Sequence, residues 1–133
     1  MTGELRVYET ILYAEDLDAA ERFYAGLLGL RRMSLDTHRG IGFRVDDRSV
    51  LLVFNPAETA KPHDLVPSHG ARGEGHVAFA VGAGQLASWR TRLVDAGCEV
   101  EREVDWPTGA MSFYVRDPAG NSVELAEGEI WPK

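Results

Sequence analysis

The sequence has few of the features that mark a secreted or membrane protein. Its 133 residues contain one cysteine, Cys98, so an internal disulfide is excluded. The opening residues, MTGELRVYET, lack the cationic and apolar regions of a secretory signal, and no apolar run approaches the roughly 18 residues that span a bilayer. These absences predict a cytoplasmic protein that does not act at a membrane.

Positive charge is also scarce. The chain has 14 Lys and Arg against 21 Asp and Glu, a formal net charge of -7, and no basic block is concentrated anywhere. This balance argues against nucleic acid or an anionic membrane as a partner and favours a small molecule. With 44% hydrophobic and 26% charged residues, the composition is that of an ordinary globular protein, and the length predicts one domain over 1–133.

The first half of the chain has the pattern of one strand, one helix and three more strands. A strand-like run at 7–14 precedes DLDAAERFYAGLLGL, whose apolar residues recur at helical spacing. Asp16 or Asp18 is the candidate N-cap, and Gly29 is a natural C-terminal stop. Three strand-like runs follow, at 31–36, 41–46 and 49–54.

The second half repeats this βαβββ order. HVAFAV at 76–81 is followed by a helix face that ends at Gly97 and by strand-like runs at 98–104, 111–116 and 122–127. We therefore predict an α+β protein of eight strands and two main helices, built from two pseudo-symmetric modules, 5–54 and 75–128. Residues 55–74, rich in Pro and Gly, are predicted to be a linker loop from which His69 and Arg72 could reach a site.

Alternation along the strands assigns side chains to the two faces of each sheet. In the fifth strand Val77, Phe79 and Val81 are predicted to meet the helix, which leaves His76 on the opposite face. The repeat places Glu9 opposite His76, and Glu124 falls on the same face in the last strand. Aligning Ser49, Val50 and Leu52 with Ser122, Val123 and Leu125 makes Leu51 the counterpart of Glu124.

A two-fold axis between the modules would bring Glu9, His76 and Glu124 toward one cleft. Judged singly, each has a plainer interpretation: a core histidine, or a carboxylate on the polar side of a strand. Together they would hold a divalent metal ion through one nitrogen and two oxygens, with positions left open for a substrate. Iron, manganese, nickel, cobalt and zinc all suit this set, and because the set contains no cysteine, a structural zinc site is not expected.

The chain also resembles a known family. The resemblance is carried by ETILYAEDLDAAERFYAGLLGL at 9–30, GHVAFAV at 75–81 and SFYVRDPAGNSVELAE at 112–127. These segments are similar to those of the vicinal oxygen chelate superfamily, also called the glyoxalase, bleomycin resistance and extradiol dioxygenase superfamily. The resemblance implies a curved mixed sheet that forms a cup around a metal ion, often completed by homodimerisation.

The same resemblance implies where the ligands lie. The ligand of the first strand falls on Glu9, that of the fifth strand on His76 and that of the last strand on Glu124. The first position is more often His in the family, which argues against a standard extradiol site. Glyoxalase I has a fourth metal-ligand position, which is acidic. The corresponding residue here is Leu51, which argues against a glyoxalase I assignment.

Two functions from different classes compete. The first is a metal-dependent lyase, isomerase or dioxygenase acting on a small oxygenated substrate, with Glu124, Tyr13 and His69 as candidate catalytic groups. The family's reactions include glutathione-dependent isomerisation, epimerisation, ring cleavage with dioxygen and thiol addition to fosfomycin. The second function is metal-free binding of a small molecule, as in the bleomycin resistance proteins. A regulatory role on a retained fold is a weaker third possibility.

Overall fold

The computed structural model describes residues 3–35 and 38–133. The chain divides into two compact units, Met1–Arg72 and Gly73–Lys133. Each unit contains one four-stranded mixed sheet with a helix on one face. The eight strands confirm the predicted α+β class and the two βαβββ repeats. No helix among the described residues is long and apolar enough to cross a bilayer.

The first unit forms a sheet with the strand order β1-β4-β3-β2. Its outer strand β1 runs parallel to β4, and the other neighbours are antiparallel. The strands and helices of this unit are β1 (Glu9–Tyr13), α1 (Leu17–Glu21), a π-helical segment (Arg22–Leu27), β2 (Arg31–Met33), β3 (Gly40–Arg44), β4 (Val50–Phe54) and α2 (Pro56–Thr59). Residue 36, the last of the predicted strand 31–36, lies outside the described residues.

The helix of the first unit begins and ends where the sequence predicts. Asp16 is the N-cap, with its carboxylate accepting a hydrogen bond from the Ala19 backbone N–H at 3.0 Å. The last turns widen to π geometry, since the Leu28 N–H bonds to the Phe23 carbonyl five residues back. Gly29 then takes a φ of +74°, the left-handed conformation that glycine adopts without steric cost, and this ends the helix.

The second unit has the corresponding order, β5-β8-β7-β6, with β5 parallel to β8. Its elements are β5 (His76–Ala80), α3 (Leu86–Asp95), β6 (Arg102–Asp105), β7 (Met111–Arg116) and β8 (Ser122–Glu127). The predicted strand 98–104 begins later in the structure. The Cys98 N–H still bonds to the Leu93 carbonyl at the end of α3, so this residue belongs to the helix terminus.

Burial on the helix-facing side stabilises both sheets. The buried apolar residues include Tyr24, Phe43 and Val53 in the first unit and Leu93, Phe113 and Val123 in the second. Large side chains of this kind each contribute about 1.5 to 3 kcal/mol on burial. The opposite face of the second sheet carries the polar side chains, because strand side chains alternate between faces.

The predicted linker is more ordered than a simple loop. Residues 56–59 form α2, capped by the Asn55 side chain, which accepts a hydrogen bond from the Ala57 N–H at 3.0 Å. Thr59 is fully buried at the end of this helix. The linker was predicted without secondary structure because four residues are too few to produce a recognisable helical period.

Candidate functional site

A histidine and a glutamate meet on the polar face of the second sheet. His76 begins β5, and Glu124 lies in the middle of the adjacent strand β8, where it pairs with Ala78. His76 Nε2 is 3.4 Å from Glu124 Oε1. The His76 side chain is 50% exposed and that of Glu124 only 6% exposed, so the pair has one buried and one accessible member.

Hydrogen bonding fixes the protonation pattern of the His76 ring. Its Nδ1 lies 3.0 Å from the Ser122 carbonyl oxygen, which can only accept, so Nδ1 carries a proton and donates it. In the neutral ring Nε2 then has a lone pair directed at the carboxylate. Two electron pairs 3.4 Å apart repel each other unless a proton or another cation lies between them.

Glu124 also has an oxygen with no partner. Oε2 is buried, and no hydrogen-bond donor among the described residues reaches it. A buried carboxylate oxygen without a donor is costly, by several kcal/mol in general, and such groups are normally satisfied by a hydrogen bond or a cation. The chemistry of this donor set, one imidazole nitrogen and one carboxylate, therefore fits a divalent metal ion.

Tyr114 forms the wall beside this pair. It lies opposite Glu124 in the β7–β8 ladder, and its ring stacks on His76 with centroids 6.1 Å apart. Burial raises the pKa of the Tyr114 hydroxyl, and the Glu124 carboxylate raises this pKa further, while a hydrogen bond with Ser112 opposes the shift. Ser112 in turn accepts a hydrogen bond from Trp106 Nε1 at 2.9 Å. A polar chain thus runs from Trp106 to Glu124.

A tight turn before β8 sets the position of His76. The Asp117 carboxylate accepts hydrogen bonds from the backbone N–H groups of Ala119 and Asn121, at 2.9 Å each. The Asn121 side-chain amide donates to Asp117 Oδ2 and its Oδ1 accepts from the Gly75 N–H at 2.8 Å. Asn121 therefore connects the turn to the residue that directly precedes His76.

Glu9 occupies the position in the first unit that His76 occupies in the second. The Val50 N–H bonds to the Tyr8 carbonyl, as the Ser122 N–H bonds to the Gly75 carbonyl. The first strands of the two sheets therefore correspond, with Glu9 in β1 equivalent to His76 in β5, and this equivalence agrees with the repeat. Glu9 is exposed at the beginning of β1 and shares its face with Ile11 and Tyr13.

The predicted counterpart of Glu124 was wrong by one residue. Glu124 pairs with Ala78, and the equivalent pair in the first unit is Ile11 with Leu52, so the counterpart is Leu52. Leu51 is 1% exposed, on the helix-facing side. The error came from assuming that the turns before β4 and β8 differ in length, whereas each has five residues, 45–49 and 117–121. Whether the counterpart is Leu51 or Leu52, the fourth metal-ligand position of the family carries an apolar side chain in this chain.

Tyr13 and His69 are in direct contact within the first unit. The Tyr13 hydroxyl is 2.7 Å from His69 Nδ1. The backbone N–H of His69 donates to the carbonyl of the buried Thr59 at 2.9 Å, and the ring meets Phe54 edge-on. Arg72, the other linker residue considered, forms an exposed ion pair with Glu15 at 3.2 Å. The linker therefore places one candidate catalytic residue, His69, against Tyr13 at the end of β1.

Cys98 is half-buried and has no role in this arrangement. Burial raises the pKa of its thiol, which keeps it in the less reactive protonated form at neutral pH. This agrees with its interpretation as a structural residue.

Within either unit, the described residues contain no group of three His, Cys, Asp or Glu side chains close enough to hold a metal ion. The second unit brings together two candidate donors, His76 and Glu124. Tyr114 is not among the site residues predicted above, although the strand pattern that places it there is present in the sequence. In MSFYVR, the buried Phe113 and Val115 face the helix, so alternation puts Tyr114 on the face of Glu124.

Comparisons with known proteins identify the family. A crystal structure of a lactoylglutathione lyase from Agrobacterium tumefaciens is 38% identical to this chain, with a TM-score of 0.91 over 99% of this chain and 100% of that one. A glyoxalase/dioxygenase from Nostoc punctiforme shares the fold at 20% identity, with a TM-score of 0.71 over 97% and 99% of the two chains.

A shorter match adds a curated relative. The metallothiol transferase FosB of Shouchella clausii (strain KSM-K16) is 36% identical over 59 residues, which are 41% of this chain and 39% of that protein. The model of the Glyoxalase/Bleomycin resistance protein/Dioxygenase superfamily matches residues 6–125. This range covers most of the chain, from before β1 into β8, so the chain belongs to the Glyoxalase/Bleomycin resistance protein/Dioxygenase superfamily.

Proposed function

We propose that this protein is a divalent-metal-dependent enzyme that acts on a small oxygenated substrate, with Glu9, His76 and Glu124 as the metal ligands. The observation that carries the proposal is the buried, unpartnered Oε2 of Glu124 beside the Nε2 of His76. A cation relieves both the unsatisfied oxygen and the repulsion between the two electron pairs. The ion would polarise a substrate oxygen and stabilise developing negative charge. The candidate metals are iron, manganese, nickel, cobalt and zinc.

Glu9 is the third proposed ligand because it repeats the position of His76. The proposal holds whether the two units pair within one chain or between the two chains of a homodimer. Glu124 has a second proposed role as a catalytic carboxylate, since it lies beside the exposed His76 ring on the polar face of the second sheet. The absence of a second cysteine supports the cytoplasm as the compartment.

The named relatives suggest which substrates to test. The names of both relatives refer to thiol chemistry: lactoylglutathione is a thioester of the thiol glutathione, and the transferase is named for a thiol. We therefore propose a substrate that contains a thiol group or reacts with one. Formation of lactoylglutathione and thiol addition to fosfomycin are the first two assays.

Elemental analysis of the purified protein tests the metal proposal. We expect close to one divalent ion per chain in the wild type, and loss of most of it in Glu124→Gln, which keeps the shape of the side chain but removes its charge. Glu99→Gln, an exposed glutamate of the same unit, is the matched control and should retain the metal. Glu9→Gln should also lose metal.

A wild-type protein that binds none of the five metals, with Glu124→Gln unchanged in thermal stability, would contradict the proposal. His76 and Glu124 would then form a plain ion pair, and the metal-free binding function of the bleomycin resistance type would take its place.

A further inference from the structure

The contact between Tyr13 and His69 links two segments far apart in sequence. Tyr13 ends β1, and His69 lies 56 residues later in the linker. Three contacts hold the His69 ring and backbone: the Tyr13 hydroxyl at 2.7 Å, the Thr59 carbonyl at 2.9 Å and the edge of Phe54 at a centroid distance of 5.1 Å. The imidazole is therefore positioned, although the residue is exposed.

This geometry allows a proton to move through the pair. The 2.7 Å contact holds one proton, which either the phenol or Nδ1 can donate. When the phenol gives its own proton to an anionic acceptor, Nδ1–H can replace that proton. Nε2 on the other side of the ring can then take a proton from water, which leaves hydroxide in place of the acceptor's negative charge. Each step moves one proton, and no electrons are transferred.

The position of Tyr13 connects the pair to the proposed site. Tyr13 shares the face of β1 with Glu9, four residues earlier. At about 3.3 Å of rise per residue, the two Cα atoms are about 13 Å apart along the strand. A substrate that extends over this distance along the same face of β1 would touch both residues.

We propose that Tyr13 and His69 act as a proton relay, in which the Tyr13 hydroxyl donates to a substrate oxygen and His69 Nδ1 reprotonates it. This proposal rests on the proposed function, because it assigns a donor for that reaction. It also gives the linker a role, since α2 and the following residues hold His69 against β1.

Kinetics of three variants test the relay. The assays are formation of lactoylglutathione and thiol addition to fosfomycin, with metal content measured on the same samples. We expect Tyr13→Phe to lower kcat about 100-fold, the usual size of a lost general acid, with KM within about twofold and metal retained. His69→Ala should lower kcat and alter its pH profile, and added imidazole should restore activity by replacing the missing ring.

Two controls separate a relay from a structural contact. His63→Ala removes another exposed linker histidine, whose Nδ1 accepts from the Leu65 N–H, and should leave kcat unchanged. Imidazole should not rescue Tyr13→Phe.

The outcomes distinguish the two proposals. Full kcat in Tyr13→Phe, with metal bound, overturns the relay and leaves the metal enzyme intact. Failure of imidazole to rescue His69→Ala also overturns it. No metal and no turnover in the wild type overturns the proposed function, and the relay with it.

Discussion

At the residue scale, the second unit surrounds its proposed ligands with groups that restrict their movement. The Ser122 carbonyl orients the His76 ring, and Tyr114 stacks on one face of it. Such outer contacts determine which nitrogen is available and keep the ring in one orientation. His76 is therefore positioned before any ligand binds.

Removing the Tyr114 hydroxyl tests this arrangement. Tyr114→Phe keeps the ring stacked on His76 but removes the hydroxyl whose pKa the Glu124 carboxylate raises. We expect metal affinity to fall about tenfold, the lower end for loss of an outer contact, with the fold unchanged. Titration of the metal-free protein with Zn²⁺ or Mn²⁺ measures it. Tyr8→Phe, at an exposed tyrosine, is the control, and equal affinities in the two variants would contradict the prediction.

At the element scale, the turn 117–121 connects β7, β8 and the start of β5. Asp117 and Asn121 are both buried, and together they satisfy three backbone N–H groups. The sequence predicts a turn here from Pro118 and Gly120, and Gly120 has the positive φ that only glycine adopts easily. The sequence pattern does not reveal that Asn121 reaches the neighbouring strand.

Asn121→Ala should therefore destabilise the protein more than an ordinary turn substitution. It removes the donor to Asp117 Oδ2 and the acceptor of the Gly75 N–H. The loss of these two hydrogen bonds costs about 3 kcal/mol in total. Urea unfolding measures the change in the free energy of unfolding. Asn55→Ala, which removes the cap of the short α2, should cost about 1 kcal/mol. Similar losses in both variants would contradict the proposed connection.

Strand positions were predictable from sequence, and strand register was not. Alternation identified all eight strands and the correct faces of β5 and β8, because the side-chain period of two is a local property. The alignment of β4 was wrong by one residue, which moved Leu51 to the wrong face. Register depends on the length of the turns and on hydrogen bonds between distant segments.

At the scale of the whole molecule, exposed apolar residues lie before β1. Leu5 is 100% exposed, Val7 73% and Tyr8 63%. Several exposed apolar residues close together in the sequence favour association in water. We therefore propose that the protein is a homodimer in which a second copy covers this segment.

Sedimentation of the purified protein tests the homodimer. We expect a particle of twice the 14.7 kDa chain mass. The double variant Leu5→Asp and Val7→Asp places charge in the proposed interface and should shift the equilibrium toward 14.7 kDa. Leu65→Asp, at another exposed leucine, is the control. A wild-type protein that sediments as a monomer at micromolar concentration would contradict the prediction.

The sequence by itself determined the family, the two βαβββ repeats and the equivalence of Glu9 with His76. These follow from local periodicity and from self-similarity between the halves, which need no tertiary information. Only the tertiary structure decided that Glu124 has an unpartnered buried oxygen, that Tyr114 stacks on His76 and that His69 bonds to Tyr13. Each of these is a contact between segments separated in sequence, fixed by strand register and by the path of the linker.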